Sequence, residues 1–133
     1  MKLFSFIHGR ESGIGVETEG STYNLTLAMD IYQNARGSKH PIQFLFLQVL
    51  VESGYCSASV IEQMLANPWV QAKIPELRIS ADVTITAPVA RPSKIICLGR
   101  NYKDHIREMD DTEPEEPLFF SKAPSSIIAS GEH

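Results

Sequence analysis

His105 and Glu108 stand three residues apart in the stretch Lys94–Ile128, KIICLGRNYKDHIREMDDTEPEEPLFFSKAPSSII. On a helix that spacing puts both side chains on one face. Imidazole titrates near neutrality, and a carboxylate beside it can fix the tautomer and stabilise the imidazolium. Such a pair is suited to taking a proton from water. The same spacing also describes an ordinary ion pair on a solvated helix, and the residues alone leave both readings open. A metal site built from Asp104, Glu108, Asp110 and Asp111 is a third possibility, but several hard oxygen ligands must then converge from a helix running into a loop. A phosphate-cradling loop is excluded, because Gly99 is the only glycine near the end of the preceding strand.

The elements that must position this pair are legible in outline. Ile95–Leu98 reads as a continuous apolar strand covered on both faces, with Cys97 a buried thiol. Asn101 is the expected cap of the next helix, which packs through Tyr102, Ile106 and Met109. An acidic loop follows, then a second strand ending at Lys122. Upstream, Lys2–His8 and Ile14–Thr18 read as strands separated by turns at Gly9–Gly13 and Glu19–Ser21. A helix capped by Asn24 or Thr26, with Leu27, Ile31 and Ala35 recurring along it, ends before Gly37. Pro41 suits the first turn of a helix buried through Ile42–Val51. Ser59 and Glu62 match a capping box, Pro68 stops that helix, and Trp69 is expected beneath the following turn. Alternation from Leu77 to Ala87 predicts a half-buried strand. The fold class is therefore α+β. Residues 1–88 are expected to form a small domain of β-meander and three helices, with 89–133 a second region.

The formal net charge is −4, and six of the 16 carboxylates lie between Glu108 and Glu116. The remainder is close to neutral and has no basic stripe, so nucleic acid is not an expected partner. Two cysteines make no disulfide framework and show no zinc spacing. No apolar run is long enough to span a bilayer or serve as a signal peptide, so a cytoplasmic protein without membrane contact is expected.

The stretch Lys94–Ser126 resembles the opening of the catalytic domain of the fumarylacetoacetate hydrolase family. The shared pattern is an apolar strand, G-x-N-Y-x-x-H-x-x-E (Gly99–Glu108), a variable loop, then E-P-x-x-F-x-K-x-P-S (Glu116–Ser125). Residues 1–88 resemble more loosely the small domain that precedes it in many bacterial members. The resemblance implies a mixed β-roll in which 103–116 form a mobile lid. It also implies a Mg²⁺- or Mn²⁺-dependent enzyme of small 1,3-dicarbonyl or 2-oxo acid compounds, hydrolysing a C–C bond, decarboxylating or tautomerising. His105 would be the base, Glu108 its partner, and Arg100 and Lys122 substrate-binding residues. A homodimer or higher homo-oligomer is expected. The family's Glu-x-Glu metal ligands have no counterpart after Lys122, so the chain is expected to be an N-terminal fragment without a metal of its own and inactive alone. The competing expectation is a non-catalytic α/β packing or oligomerisation module.

Overall fold

The computed structural model describes residues 1–39, 41–80, 82–108 and 114–132, except the side chains of Lys103 and His105. The fold is α+β, and the chain divides into two compact units, Met1–Val89 with Ile128–His133, and Ala90–Ile127.

In the larger unit, β1 (Lys2–His8), β2 (Glu11–Thr18) and β3 (Ser21–Asn24) form the expected meander. With β4 (Thr84–Thr86) they make an antiparallel sheet of order β3-β2-β1-β4. The first turn is tighter than expected. His8 pairs with Glu11, leaving only Gly9 and Arg10 outside the ladder. At the second turn Glu19 and Gly20 both have positive φ, 50° and 72°, the backbone that a two-residue hairpin of matching twist requires.

Helix α1 (Leu25–Ala35) is capped by Asn24, whose side chain accepts from the Leu27 N–H, and Gly37 follows its end at φ 71°. Its buried residues are Leu25, Ala28 and Met29 rather than the expected Leu27–Ile31–Ala35 stripe. Helix α2 starts at Leu47 (Leu47–Glu52), not at Pro41. The physical reason is tertiary. The Gln33 side chain donates to the Ile42 carbonyl at 2.9 Å and accepts from its N–H at 2.8 Å, while the Thr26 hydroxyl donates to the Phe44 carbonyl at 2.8 Å. These bonds satisfy an extended backbone that would otherwise favour helix. Val49 and Val51 are exposed, so the helix is buried on one face only.

Helix α3 (Ala58–Leu65) is capped by Ser57, not Ser59. That helix ends ahead of Asn67-Pro68, as expected, and Pro68 then opens a separate one-turn helix α4 (Pro68–Gln71), with Asn67 as cap, and α5 (Ile74–Leu77) follows. The described residues of this unit form five helices where three were expected, and Trp69 is 53% exposed instead of packed beneath a turn. The expected strand Leu77–Ala87 shrinks to β4. Leu77 closes α5 and is fully buried, Arg78 bridges to Tyr23, and Ile85 is half exposed, so alternation there does not report burial. The core joins Ile14 and Val16 of β2, Leu25 and Met29 of α1, Phe44, and Leu50, Ile61, Val70 and Leu77 of the following helices.

The smaller unit is an antiparallel ribbon of β5 (Ile95–Gly99) and β6 (Leu118–Lys122), with α6 (Lys103–Glu108) between them and a 3₁₀ turn at Pro124–Ser126. Ile96 is 68% and Leu98 42% exposed, so β5 is not covered on both faces, and Cys97 is half-buried instead of fully buried.

Candidate active-site ribbon

The register of the ribbon sets the spatial order of the candidate residues. Gly99 pairs with Leu118 at one end and Ile95 with Lys122 at the other. At the first end the strands approach closely. A Cβ on Gly99 would meet Leu118 Cδ2 at 3.2 Å and its carbonyl oxygen at 3.4 Å, so any other residue would push β6 aside. Arg100 then adopts φ 49°, the left-handed region, and turns the chain out of β5.

Helix α6 begins one residue later than a cap at Asn101 would require. The Ile106 N–H donates to the Tyr102 carbonyl at 3.1 Å, which places Tyr102 at the boundary. Tyr102 is consequently 74% exposed and off the expected packing stripe. Ile106 is the buried anchor of the helix at 6% exposure, and Met109, the third member of that stripe, lies outside the described residues. Asp104 sits in the first turn, favourably placed against the helix dipole, and pairs with Arg107 at 3.3 Å in the open.

His105 precedes the buried Ile106 in the helix backbone, and its side chain lies outside the described residues. Glu108 closes the helix and is exposed. Arg100 and Asn101 line an open cleft of about 270 Å³ together with Glu115 and Glu116, just below the size of an ordinary small-molecule pocket. Asn101, expected as a cap and as part of the family pattern, Glu116, the first residue of the second pattern, and Glu115, expected as solvated loop, are thus additional polar groups at this end. The adjacency of Glu116-Pro117 to β6 was the signal for them. Lys122 is exposed and lies four rungs along the ladder from Leu118, about 14 Å at roughly 3.4 Å per residue. The ribbon does not bring Lys122 to the end that carries Arg100 and α6.

A divalent ion needs several oxygen donors converging on one point. Among the described residues no three His, Cys, Asp or Glu side chains do so, and Asp110 and Asp111 lie outside that set. The described residues do not fit a Mg²⁺ or Mn²⁺ site, and no chemical step is derived through one. No described helix is long and apolar enough to cross a membrane.

Comparison with known proteins gives a consistent family. Residues 94–133 match the family model described as the C-terminal domain of fumarylacetoacetate hydrolase. The mitochondrial oxaloacetate tautomerase FAHD2A of Homo sapiens is 44% identical over 78 residues, which are 59% of this chain and 23% of that protein. Its Bos taurus counterpart is 42% identical over the same length. A fumarylacetoacetate hydrolase structure from Exiguobacterium antarcticum aligns with 96% of this chain and 37% of its own, at 27% identity and TM-score 0.50. A putative HpcE protein from Mycobacterium smegmatis shares the fold at TM-score 0.52 and 20% identity, over 38% of its length. The chain therefore spans about a quarter of the curated relatives and under two fifths of the solved ones. Through the strand, helix and strand of residues 94–133, these comparisons support kinship of the chain with the fumarylacetoacetate hydrolase family.

Proposed function

We propose that this chain forms the N-terminal part of an enzyme acting on small 1,3-dicarbonyl or 2-oxo acid compounds, by tautomerisation or by C–C bond hydrolysis. The observation that carries the reading is the match of residues 94–133 to the family, across the segment that holds His105 and Glu108. Kinship with oxaloacetate tautomerases favours a 2-oxo acid substrate.

In this proposal His105 is the general base and Glu108 the carboxylate that keeps its imidazole oriented and supports its charge. For hydrolysis, imidazole takes a proton from water and the oxygen adds to the substrate carbonyl; the adduct collapses to the acid as the C–C bond breaks, its electron pair leaves as the enolate of the other carbonyl, and the imidazolium returns the proton to that enolate. For tautomerisation, the same base removes the proton between the carbonyls and a proton returns to the enolate oxygen. Arg100, at the mouth of the cleft, offers a fixed cation and planar donors to a substrate carboxylate. Lys122 serves substrate only if further residues bring it to the same end. The Mg²⁺ or Mn²⁺ implied by the family belongs to the proposal for the longer enzyme, with ligands other than those described here. A cytoplasmic location is also part of the proposal, checked by cell fractionation, since several curated relatives are mitochondrial by name.

The test is turnover of oxaloacetate and of an acylpyruvate by a longer protein containing this chain, with His105→Ala and Glu108→Gln variants. His105→Ala should lower kcat by about 10²–10⁴-fold, the usual worth of a positioned base. Glu108→Gln should lower kcat and shift the pH–rate profile, with folding unchanged because Glu108 is exposed. Full activity in His105→Ala removes the dyad from the mechanism.

A further inference from the structure

The larger unit carries a cleft of its own, of about 470 Å³, within the range of small-molecule sites. Three segments wall it: the end of the β1–β2 hairpin with Arg10, one side of α1 with Leu27 and Asp30, and the extended segment before α2 with Leu45. The walls are fixed. Thr26 ties β2 to the Phe44 carbonyl, and Gln33 holds Ile42 through both of its backbone groups. Phe44 itself is buried in the core, so alternation along the extended segment turns Leu45 the other way, into the cleft. Walls already ordered cost a ligand little to engage.

The polar groups of the cleft divide into satisfied and unsatisfied ones. His8 Nε2 lies 3.1 Å from Asp82 Oδ2, the Asn24 side chain caps α1, and Thr26 is bonded on both sides. Among the described residues the side chains of Arg10 and Asp30 make no hydrogen bond or ion pair, with each other or with any other group. Asp30 is half-buried, so its carboxylate has given up part of its water without gaining a protein partner. The same cleft presents Leu27 and Leu45, 38% and 40% exposed, and the buried ring of Phe6.

We propose that this cleft binds a small zwitterion with an aliphatic body, its carboxylate on Arg10, its ammonium on Asp30 and its aliphatic part against Leu27 and Leu45. The inference is independent of the catalytic reading, whose residues lie in the other unit. The charges select the class. A dicarboxylic acid would meet Asp30 and the exposed Glu11, with Arg10 alone to receive two carboxylates. A diamine would meet Arg10. An uncharged apolar compound would cover Asp30 and leave it unpaired, which costs more than it gains. A free aliphatic α-amino acid and a short peptide with free ends share the required chemistry.

Titration of the chain 1–133 with L-leucine and with glycyl-leucine, followed by backbone amide shifts in NMR spectra, tests the inference. At least one should bind with a Kd on the order of 0.1–3 mM, the range open to ligands of this size. The amides of Arg10, Leu27, Asp30 and Leu45 should be among those that shift. Tighter binding of leucine assigns the free amino acid, and tighter binding of the dipeptide assigns the peptide. N-acetylation of the tighter ligand removes its ammonium and should weaken it by about five- to tenfold. Asp30→Asn should weaken the unmodified ligand by a similar factor and leave the acetylated one within about twofold, because the lost partner is the same. Arg10→Gln and amidation of the ligand's carboxylate should behave as the matching pair, at about two- to fivefold, since Arg10 is exposed. Circular dichroism should be unchanged in both variants. No binding of either ligand at about 10 mM would overturn the proposal. Binding indifferent to acetylation, or to Asp30→Asn, would overturn it equally.

Discussion

Two glycines in β2 are set by aromatic rings rather than by backbone geometry. Gly15 pairs with Phe4 and Gly13 with Phe6 across the β1–β2 ladder. A Cβ at Gly15 would fall within the Phe4 ring, and one at Gly13 would lie 2.9 Å from Phe6 Cζ. The two rings lie beside one another, 6.2 Å apart at 51°. Glycine inside a strand costs backbone entropy, and Ala would ordinarily recover part of it. Here overlap dominates. Gly15→Ala should destabilise the chain by about 1–3 kcal/mol, and Phe4→Leu in the same chain should recover part of the loss. Urea denaturation reads both, and a neutral or stabilising Gly15→Ala would refute the ring contact. From sequence, Gly13 reads as a turn, because residue type alone cannot tell a glycine that bends the chain from one that makes room. The same limit holds in the candidate site. The types and spacing of His105, Glu108, Arg100 and Lys122 mark the segment, but only the register shows Lys122 four rungs from the other end of the ribbon.

At the scale of elements, caps and hairpins were legible because their chemistry is local. Asn24, Gly37 and the Glu19-Gly20 turn act where the sequence places them. What was not legible depends on partners distant in sequence. Thr26 looked like an alternative cap, yet its hydroxyl continues the sheet beyond the end of β3. The Ile14 N–H donates to Thr26 Oγ1 at 2.9 Å, and that hydroxyl donates to Phe44. Thr26 thus ties β2, α1 and the extended segment before α2 into one network. Thr26→Val keeps the shape but leaves the amide of fully buried Ile14 without its acceptor. An orphaned buried donor costs about 1–3 kcal/mol, and that loss should appear in thermal unfolding. Thr26→Ser, which retains the hydroxyl, should lie much closer to the parent chain. Equal stability of the Val and Ser variants would show that the network contributes nothing.

For the whole molecule, burial is divided unequally between the two units. The clustered core belongs to the larger unit, whereas Ile106 is the only residue of the smaller unit among the buried hydrophobics described. A two-stranded ribbon with one buried anchor has little apolar burial to offset the conformational entropy of ordering it. The continuous apolar runs of β5 and β6 could not reveal this, since IICL and LFF look like core strands wherever their partners lie. The same imbalance predicts a graded stability. At concentrations where the chain is monomeric, amides of Cys97, Leu98 and Phe120 should exchange with solvent through local opening, at least about tenfold faster than those of Val16, Leu25 and Leu50. Leu50→Ala, in the fully buried centre of the larger unit, should lower global stability by about 2–5 kcal/mol and accelerate the slow class. The ribbon amides should hardly change, because their opening does not require that core to unfold. Hydrogen exchange read by mass spectrometry on both chains distinguishes the outcomes. If ribbon and core amides share one rate, and Leu50→Ala moves them together, the chain unfolds as one cooperative body and the division of stability fails.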